Sequence, residues 1–309
     1  SGKASLYVVD LTTGDLIKEI VVDKNATGTA ESGLSSPQVL VNAQFQIEKI
    51  YAGDLRGNLW KFDFSSNDSN DWSGSKLFEA GVDQPITTQP LIVEHPKGGY
   101  LIEFGTGKLN EVSDKFDKKL QAFYAIWDND NSSSVPKSKL LAQSITEEKL
   151  INGGNFFTTS NSRVDWNNQQ GWYLPLIYDD KYTGERVIYP AQTTEGRVVF
   201  VTAEVDASDP CNSSGSGRLV ELDAITGSML DSPVLDTDYN GVLTEADAIT
   251  SGVIFGGGLP GMPVIIDKGP DKTTQTKVIL LSTGENEFID ERAGESAEIA
   301  RRIMWRQLQ

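Results

Sequence analysis

A short pattern recurs at widely separated places in this chain, and it limits the fold more than any other feature. Leu6-Tyr7-Val8-Val9-Asp10 leads into Thr13-Gly14, and Leu219-Val220-Glu221-Leu222-Asp223 leads into Thr226-Gly227, with leucine, aspartate and Thr-Gly at the same offsets. Weaker copies stand at Leu59-Trp60-Lys61-Phe62-Asp63-Phe64 and Phe123-Tyr124-Ala125-Ile126-Trp127-Asp128. Each copy is an apolar alternation that stops at turn-forming residues, which is the signature of a strand entering a tight connection. A small sheet repeated in this way cannot cover both of its faces alone. Stacked neighbours must do it, so the pattern predicts an all-β chain, a β-propeller of four-stranded antiparallel blades.

Further strand-like runs fill in the blades. Val39 to Val41, Lys49 to Ala52, Leu59 to Phe64 and Lys76 to Glu79 make one unit; Thr87 to Val93, Tyr100 to Phe104, Gln121 to Trp127 and Lys139 to Gln143 make a second. Val187 to Pro190, Val198 to Thr202, Leu219 to Asp223 and a strand near Met229 to Val234 make a third. Val253 to Ile266, Lys277 to Leu281 and Ile303 to Leu308 supply most of a fourth, and Ser5 to Val22 supplies half of another. Four to five blades that begin within one fit either a small circle or a sequence lacking upstream blades, and the second is expected. Asn155 to Gln170 shows no period and leads into Gly171-Trp172-Tyr173-Leu174, an additional strand, while Glu285 to Arg302 has a helical composition. Other helices are expected to be few. No linker divides the chain, so residues 1–309 read as a single, partial propeller domain.

Composition excludes several function classes. With 44 acidic residues against 27 basic ones, the formal charge of -17 would repel a phosphate backbone, so no nucleic-acid partner is expected. His95 is the only histidine and Cys211 the only cysteine. That removes histidine triads, paired-histidine zinc sites and an internal disulfide, leaving Cys211 to pair only with a cysteine outside this sequence. No apolar run is long enough to span a membrane, and no secretory leader is read at the N-terminus.

One stretch carries chemistry. Asp236-Thr237-Asp238-Tyr239-Asn240-Gly241-Val242-Leu243-Thr244-Glu245-Ala246-Asp247 places oxygen side chains at loop positions 1, 3, 5, 9 and 12 and glycine at position 6. Ca²⁺ needs six to eight oxygens, and a twelve-residue loop can supply them when alternate side chains turn inward and glycine permits the sharp bend. Asp236, Asp238 and Asn240 are the expected first ligands, Val242 gives its carbonyl, Thr244 acts directly or through water, and Asp247 closes the loop. Aspartate in place of the usual glutamate at position 12 must approach more closely, which points to a usable but not tight site. The bland alternative is a solvated acidic turn.

Ile50-Tyr51-Ala52-Gly53-Asp54-Leu55-Arg56-Gly57-Asn58-Leu59-Trp60-Lys61-Phe62-Asp63 resembles the most recognisable line of the PilC/PilY family of type IV pilus biogenesis and tip proteins. The likeness continues in Phe104-Gly105-Thr106-Gly107-Lys108, Phe123 to Asp128, Gly171 to Leu174, Gly184-Glu185-Arg186-Val187 and Ile303 to Leu308. It implies a C-terminal β-propeller module, minor pilins of the pilus tip as partners, and an extracellular place at the tip or the bacterial surface. It further implies control of pilus extension and retraction, and attachment to host or abiotic surfaces through an upstream region. The sequence departs from the family at one point. The calcium loop of many members, just before the Tyr-Ala-Gly-Asp line, here reads Leu40, Asn42, Gln44, Gln46 and Glu48, too few charged oxygens to repay dehydration of the ion. Asp128-Asn129-Asp130-Asn131-Ser132 is a weaker cation candidate without glycine or a closing acid.

Most other recurring residues read as structural. Gly53, Gly57, Gly105 and Gly107 are expected to give positive φ or close backbone approach, Asp10, Asp63 and Asp223 to accept hydrogen bonds in turns, and Trp60, Trp127, Trp172 and Trp305 to pack between blades. Gly256-Gly257-Gly258 lacks the lysine and helix of a phosphate loop. The leading functional expectation is therefore a non-enzymatic, calcium-binding module of a pilus protein. The alternatives are a quinoprotein-dehydrogenase-like propeller, which needs ligands converging from several blades, and a scaffold whose metal only stabilises one connection.

Overall fold

The computed structural model of the chain describes residues 4–22, 32–131, 134–206, 215–268 and 274–292. Almost all regular structure in it is strand, with two short 3₁₀ turns at Val112–Phe116 and Lys137–Lys139. β1 (Ser5–Val9) and β2 (Leu16–Val21) form the half blade. Its turn is held by Asp10, whose Oδ1 accepts the N–H groups of Thr12 and Thr13 at 2.8 and 3.0 Å. Asp223 does the same for Ile225 and Thr226 at 3.1 and 2.7 Å, and Asp63 accepts from Ser65 N–H at 2.9 Å. The repeated aspartate thus shapes the connection that follows each strand.

The first full blade follows the sequence closely: β3 (Gln38–Val41), β4 (Ile47–Gly53), β5 (Asn58–Asp63) and β6 (Ser73–Glu79) lie in that spatial order. The second does not. β7 (Leu91–Glu94), β8 (Tyr100–Gly105) and β9 (Ala122–Asp128) are consecutive, but β10 (Leu141–Ala142) is not the strand beside β9. The chain first leaves to make a hairpin, β11 (Ile145–Ile151) and β12 (Gly154–Thr159), where the sequence shows little period. It returns as β13 (Gly171–Pro175), which pairs with β9 and leaves β10 outermost and parallel. Burial decides the order, since β13 brings Trp172 and Leu174, both fully buried, whereas β10 brings two residues and neither is buried.

In the third blade β14 (Gln192–Thr194), β15 (Arg197–Val201), β16 (Glu204–Val205), β17 (Gly215–Asp223) and β18 (Gly252–Phe255) form one sheet with β11 and β12 added outside β18. Two expected strands are not formed. The run Val187 to Pro190 stops short of the sheet, and the stretch near Met229 to Val234 is displaced by β18 as the partner of β17. Proline at 190 and again at 233 removes a ladder donor in each. The expected strand from Val253 to Ile266 is likewise two: β18 ends the third blade and β19 (Val264–Lys268) begins the fourth, with β20 (Thr274–Leu280) and β21 (Asn286–Arg292). β21 also corrects the helix expected over Glu285 to Arg302 as far as Arg292, residues 293–302 lying outside those described. Helical composition is a weak preference, and here an open β20 edge pairs with seven residues in register while Glu291 is buried against Lys277. The expected strand at Ile303 to Leu308, Trp305 and Cys211 lie outside the described residues.

The seams between blades form the core. Phe78, Phe104 and Tyr124 meet between the first and second blades, and Phe123 stacks on Phe200 between the second and third, centroids 4.0 Å apart. Gly53 and Gly105 stand at matching places in β4 and β8. A Cβ there would lie 2.1 Å from Ile86 and 2.2 Å from Val187, so glycine is what lets the next blade close up. Gly57 and Gly107 take the positive φ values, +78° and +129°.

Polar groups are buried in the same seams. Asp128 follows Trp127, one residue later than the aspartate of the other copies, and a one-residue offset in a strand reverses the face. Its carboxylate therefore turns into the first seam, where Tyr51 Oη donates at 2.7 Å and Lys61 Nζ at 2.9 Å. Between the third and fourth blades Lys277 bridges Glu221, at 2.8 Å, and Glu291, with Arg197 3.6 Å from Glu221. Glu103, between the second and third, has no hydrogen-bond partner for either carboxylate oxygen among the described residues. Burial, reinforced by the nearby charge of Asp223, raises its pKa well above the usual carboxylate value. The folded state thus keeps a proton that the unfolded chain releases above about pH 4.3, and stability falls as pH rises from there through the folded pKa. Glu103→Gln removes this dependence. Denaturant unfolding at pH 7 should show the variant more stable than the parent, and the advantage should vanish below about pH 4.

Candidate cation site and family relationship

The acidic loop belongs to the long connection between β17 and β18. Before it bends, the chain runs beside the outer end of β21: Leu235 bridges Glu291, Arg292 N–H donates to Val234 O at 2.9 Å, and Asp236 N–H donates to Asp290 O at 3.0 Å. The loop is tied on its other side to the β11–β12 hairpin, where Asn152 Nδ2 donates to Thr237 O at 3.1 Å and Tyr239 packs 6.4 Å from Phe156 between ring centroids. It therefore spans the seam between the third and fourth blades.

Inside the loop, Asp236 Oδ2 accepts Gly241 N–H at 2.8 Å, so the first residue folds over the sixth. Asp247 reaches back, its two oxygens accepting Thr237 N–H at 2.8 Å and Thr244 N–H at 2.9 Å. Burial opposes its ionisation, but these backbone donors outweigh it and hold the Asp247 pKa below the usual carboxylate value. One oxygen each of Asp236, Asp238 and Asp247 lie within 4.8 Å of one another. None of the three is ion-paired among the described residues; Arg292 reaches Glu245 of the same loop, at 3.5 Å.

The expected ligands are met unequally. Asp236 and Asp247 are buried and Asp238 is exposed, and the three form the cluster. Asn240 is bound to it through its amide, Nδ2 donating to Asp238 Oδ2 at 2.8 Å, while its Oδ1 accepts Val242 N–H at 2.7 Å. Thr244 Oγ1 accepts Ala246 N–H at 3.1 Å. Each of these oxygens keeps a second lone pair. The most telling atom is Asp236 Oδ1, which is buried without any hydrogen-bond partner among the described residues. A buried unsatisfied carboxylate oxygen among like charges is costly, and a hard cation is the group whose chemistry satisfies it.

Sequence reasoning did not find the contacts that fix the loop in place. Leu235, Asn152 and Tyr239 carry them, and the positive φ of Tyr239, 58° beside Gly241 at 79°, belongs to the folded loop and is not visible in the sequence. The weaker candidate at Asp128 is engaged otherwise, by Tyr51 and Lys61, and Asp130 pairs with Lys49. Where family members carry their calcium loop, Asn42 Oδ1 accepts Gln44 and Gln46 N–H, both at 3.0 Å, and closes that turn with an amide. His95 is a packing residue, stacked on Trp127 at 4.2 Å.

The loop geometry yields a local prediction. A Cβ at Gly241 meets no atom within 4 Å, so an alanine there bears only the left-handed backbone strain. Gly241→Ala should cost about 1–2 kcal/mol of loop stability, read as faster amide exchange confined to residues near 236–247.

Comparison with known proteins agrees with this architecture. The family model described as the PilY1 beta-propeller domain matches residues 1–152. A type IV pilus biogenesis factor PilY1 homolog of Xylella fastidiosa is 29% identical over 87% of this chain, and PilY1 of Pseudomonas aeruginosa is 30% identical over 79%. The chain spans 20% and 26% of the length of those two relatives. The crystal structure of the Pseudomonas aeruginosa PilY1 C-terminal domain superposes with a TM-score of 0.76 at 25% identity, covering 95% of this chain and 67% of that one. With its blades, its seams and these relatives in agreement, the chain belongs to the PilC/PilY family of type IV pilus biogenesis proteins, as part of the family's β-propeller.

Proposed function

We propose that this chain is a non-catalytic, calcium-responsive portion of a type IV pilus biogenesis protein, and that Asp236, Asp238, Asn240, Val242, Thr244 and Asp247 hold the ion. The observation that carries the reading is Asp236 Oδ1, buried and, among the described residues, unpartnered beside the carboxylates of Asp238 and Asp247. The ion would neutralise three clustered charges and pull in the oxygens of Asn240, Val242 and Thr244. Because the loop is anchored to β21 and to the β11–β12 hairpin, ordering it would stiffen the seam between the last two described blades. The named relatives support the pilus role. An extracellular place at the pilus tip or bacterial surface, minor pilins as partners, and a part in extension, retraction and adhesion complete the proposal. Millimolar extracellular calcium would fill even a site of modest affinity.

Titration calorimetry on chelator-treated protein should give one calcium site, lost in Asp236→Ala. Calcium at about 100 times its dissociation constant should add about 2.7 kcal/mol, raising the melting temperature by several degrees in the parent and not in the variant. Absence of both heat and shift would sink the assignment. In cells, an Asp238→Ala allele of the full-length gene should impair surface piliation or twitching; normal pili with a normal melting response in the parent would reduce the ion to a local stabiliser.

A further inference from the structure

The acidic loop and the β11–β12 hairpin meet through residues that would not touch the ion. Over the first five loop positions, Asp236, Asp238 and Asn240 gather together, the two aspartates within the oxygen cluster and Asn240 Nδ2 donating to Asp238 Oδ2 at 2.8 Å. The residues between them serve the hairpin. Thr237 O accepts Asn152 Nδ2 at 3.1 Å, and the Tyr239 ring lies against Phe156, centroids 6.4 Å apart. The fit is close, for a Cβ on Gly154 would stand 1.9 Å from Tyr239 Oη. A loop that turns its odd positions inward to ligate leaves its even positions to face a neighbour, and here that neighbour is the hairpin.

Backbone strain is held at the same contact. Asn152 and Tyr239, one on each side of it, both have left-handed φ, 48° and 58°. Asparagine tolerates that region, whereas a tyrosine persists there only where surrounding contacts hold it. The base of the hairpin is fixed separately. β12 pairs with β18 at Phe156 and Phe157, Ser251 N–H donates to Phe157 O at 2.8 Å, and Thr159 N–H donates to Ser251 Oγ at 3.0 Å. The tip, through Asn152 and Gly154, meets the loop.

We propose that the hairpin tip sets the calcium affinity: Asn152 and the surface of Gly154 and Phe156 hold the loop in its ligating form, and calcium in return fixes the tip. The inference rests on the calcium assignment and adds to it the coupling to a second element. A loop already held in shape loses less freedom on binding, so the tip contacts favour the ion. Linkage makes the effect reciprocal, and whatever factor the docked tip adds to calcium binding, calcium adds to docking. The ion is thereby felt outside the loop that ligates it.

The test uses the whole chain, with titration calorimetry for calcium and amide exchange of residues 151–157 in calcium and in chelator. In the parent, calcium should slow exchange at the tip about fivefold or more. Asn152→Gly accepts the left-handed backbone and loses the donor, and Tyr239→Asn accepts it and loses the ring. Each should weaken calcium binding roughly five- to tenfold and abolish the calcium-dependent protection of the tip, although relief of strain acting alone would favour the folded loop. Both residues lie at the surface, so the melting temperature in chelator should stay at the parent value. Leu150→Ala is the control. Leu150 is exposed and pairs with Asn155, on the face of the hairpin opposite Phe156, and its loss should leave both readings unchanged. Calcium binding unaltered in both variants, or a tip whose exchange ignores calcium, overturns the inference and leaves the ion site standing. A parent that gives no calcium heat overturns the two together.

Discussion

Everything in this structure depends on the requirement that each blade be covered on both faces. A four-stranded sheet of alternating residues has two apolar faces or one apolar and one polar face, and here the inner blades are apolar on both. Closure of the seam is therefore the main favourable term, and close approach is its condition. Glycine at 53 and 105 allows the chain before the next blade to touch the strand backbone, and the ring stack of Phe123 on Phe200 fills the space beyond. Trp172, fully buried against Gly227, extends the same seam outward.

Charges placed in these seams act on specificity as much as on stability. Lys61 faces Asp128 across the first seam, and Glu221 faces Lys277 across the last, with the signs exchanged. Buried pairs cost desolvation that their attraction barely returns, but a misplaced neighbour would leave two charges unpaired. Each seam therefore accepts its own blade and penalises the others. Glu103 is the exception, a carboxyl buried without a partner among the described residues.

The acidic loop uses the same architecture for a different end. It lies on a seam, held by backbone contacts to the strand on one side and by a hairpin from the sheet on the other. The loop borders a cavity together with β12, β18 and β21, whose stretch from Asn286 to Ile289 has no further strand beside it among the described residues. The acidic side chains come from a single connection, yet the loop touches elements of two blades.

Sequence alone determined the fold class, the turn-forming aspartates, the first blade and the composition of the acidic loop, because each is a local pattern: alternation, fixed offsets, and oxygen side chains on alternate positions. Tertiary structure decided which strand stands beside which. β13 displaces β10, β18 displaces the run before Val234, and β21 is a strand despite helical composition, because burial against a distant partner outweighs local preference. It also decided what the loop touches. Nothing in the spacing of Asp236 to Asp247 foretells Asn152 or β21, since contacts between residues far apart in the chain leave no period in it.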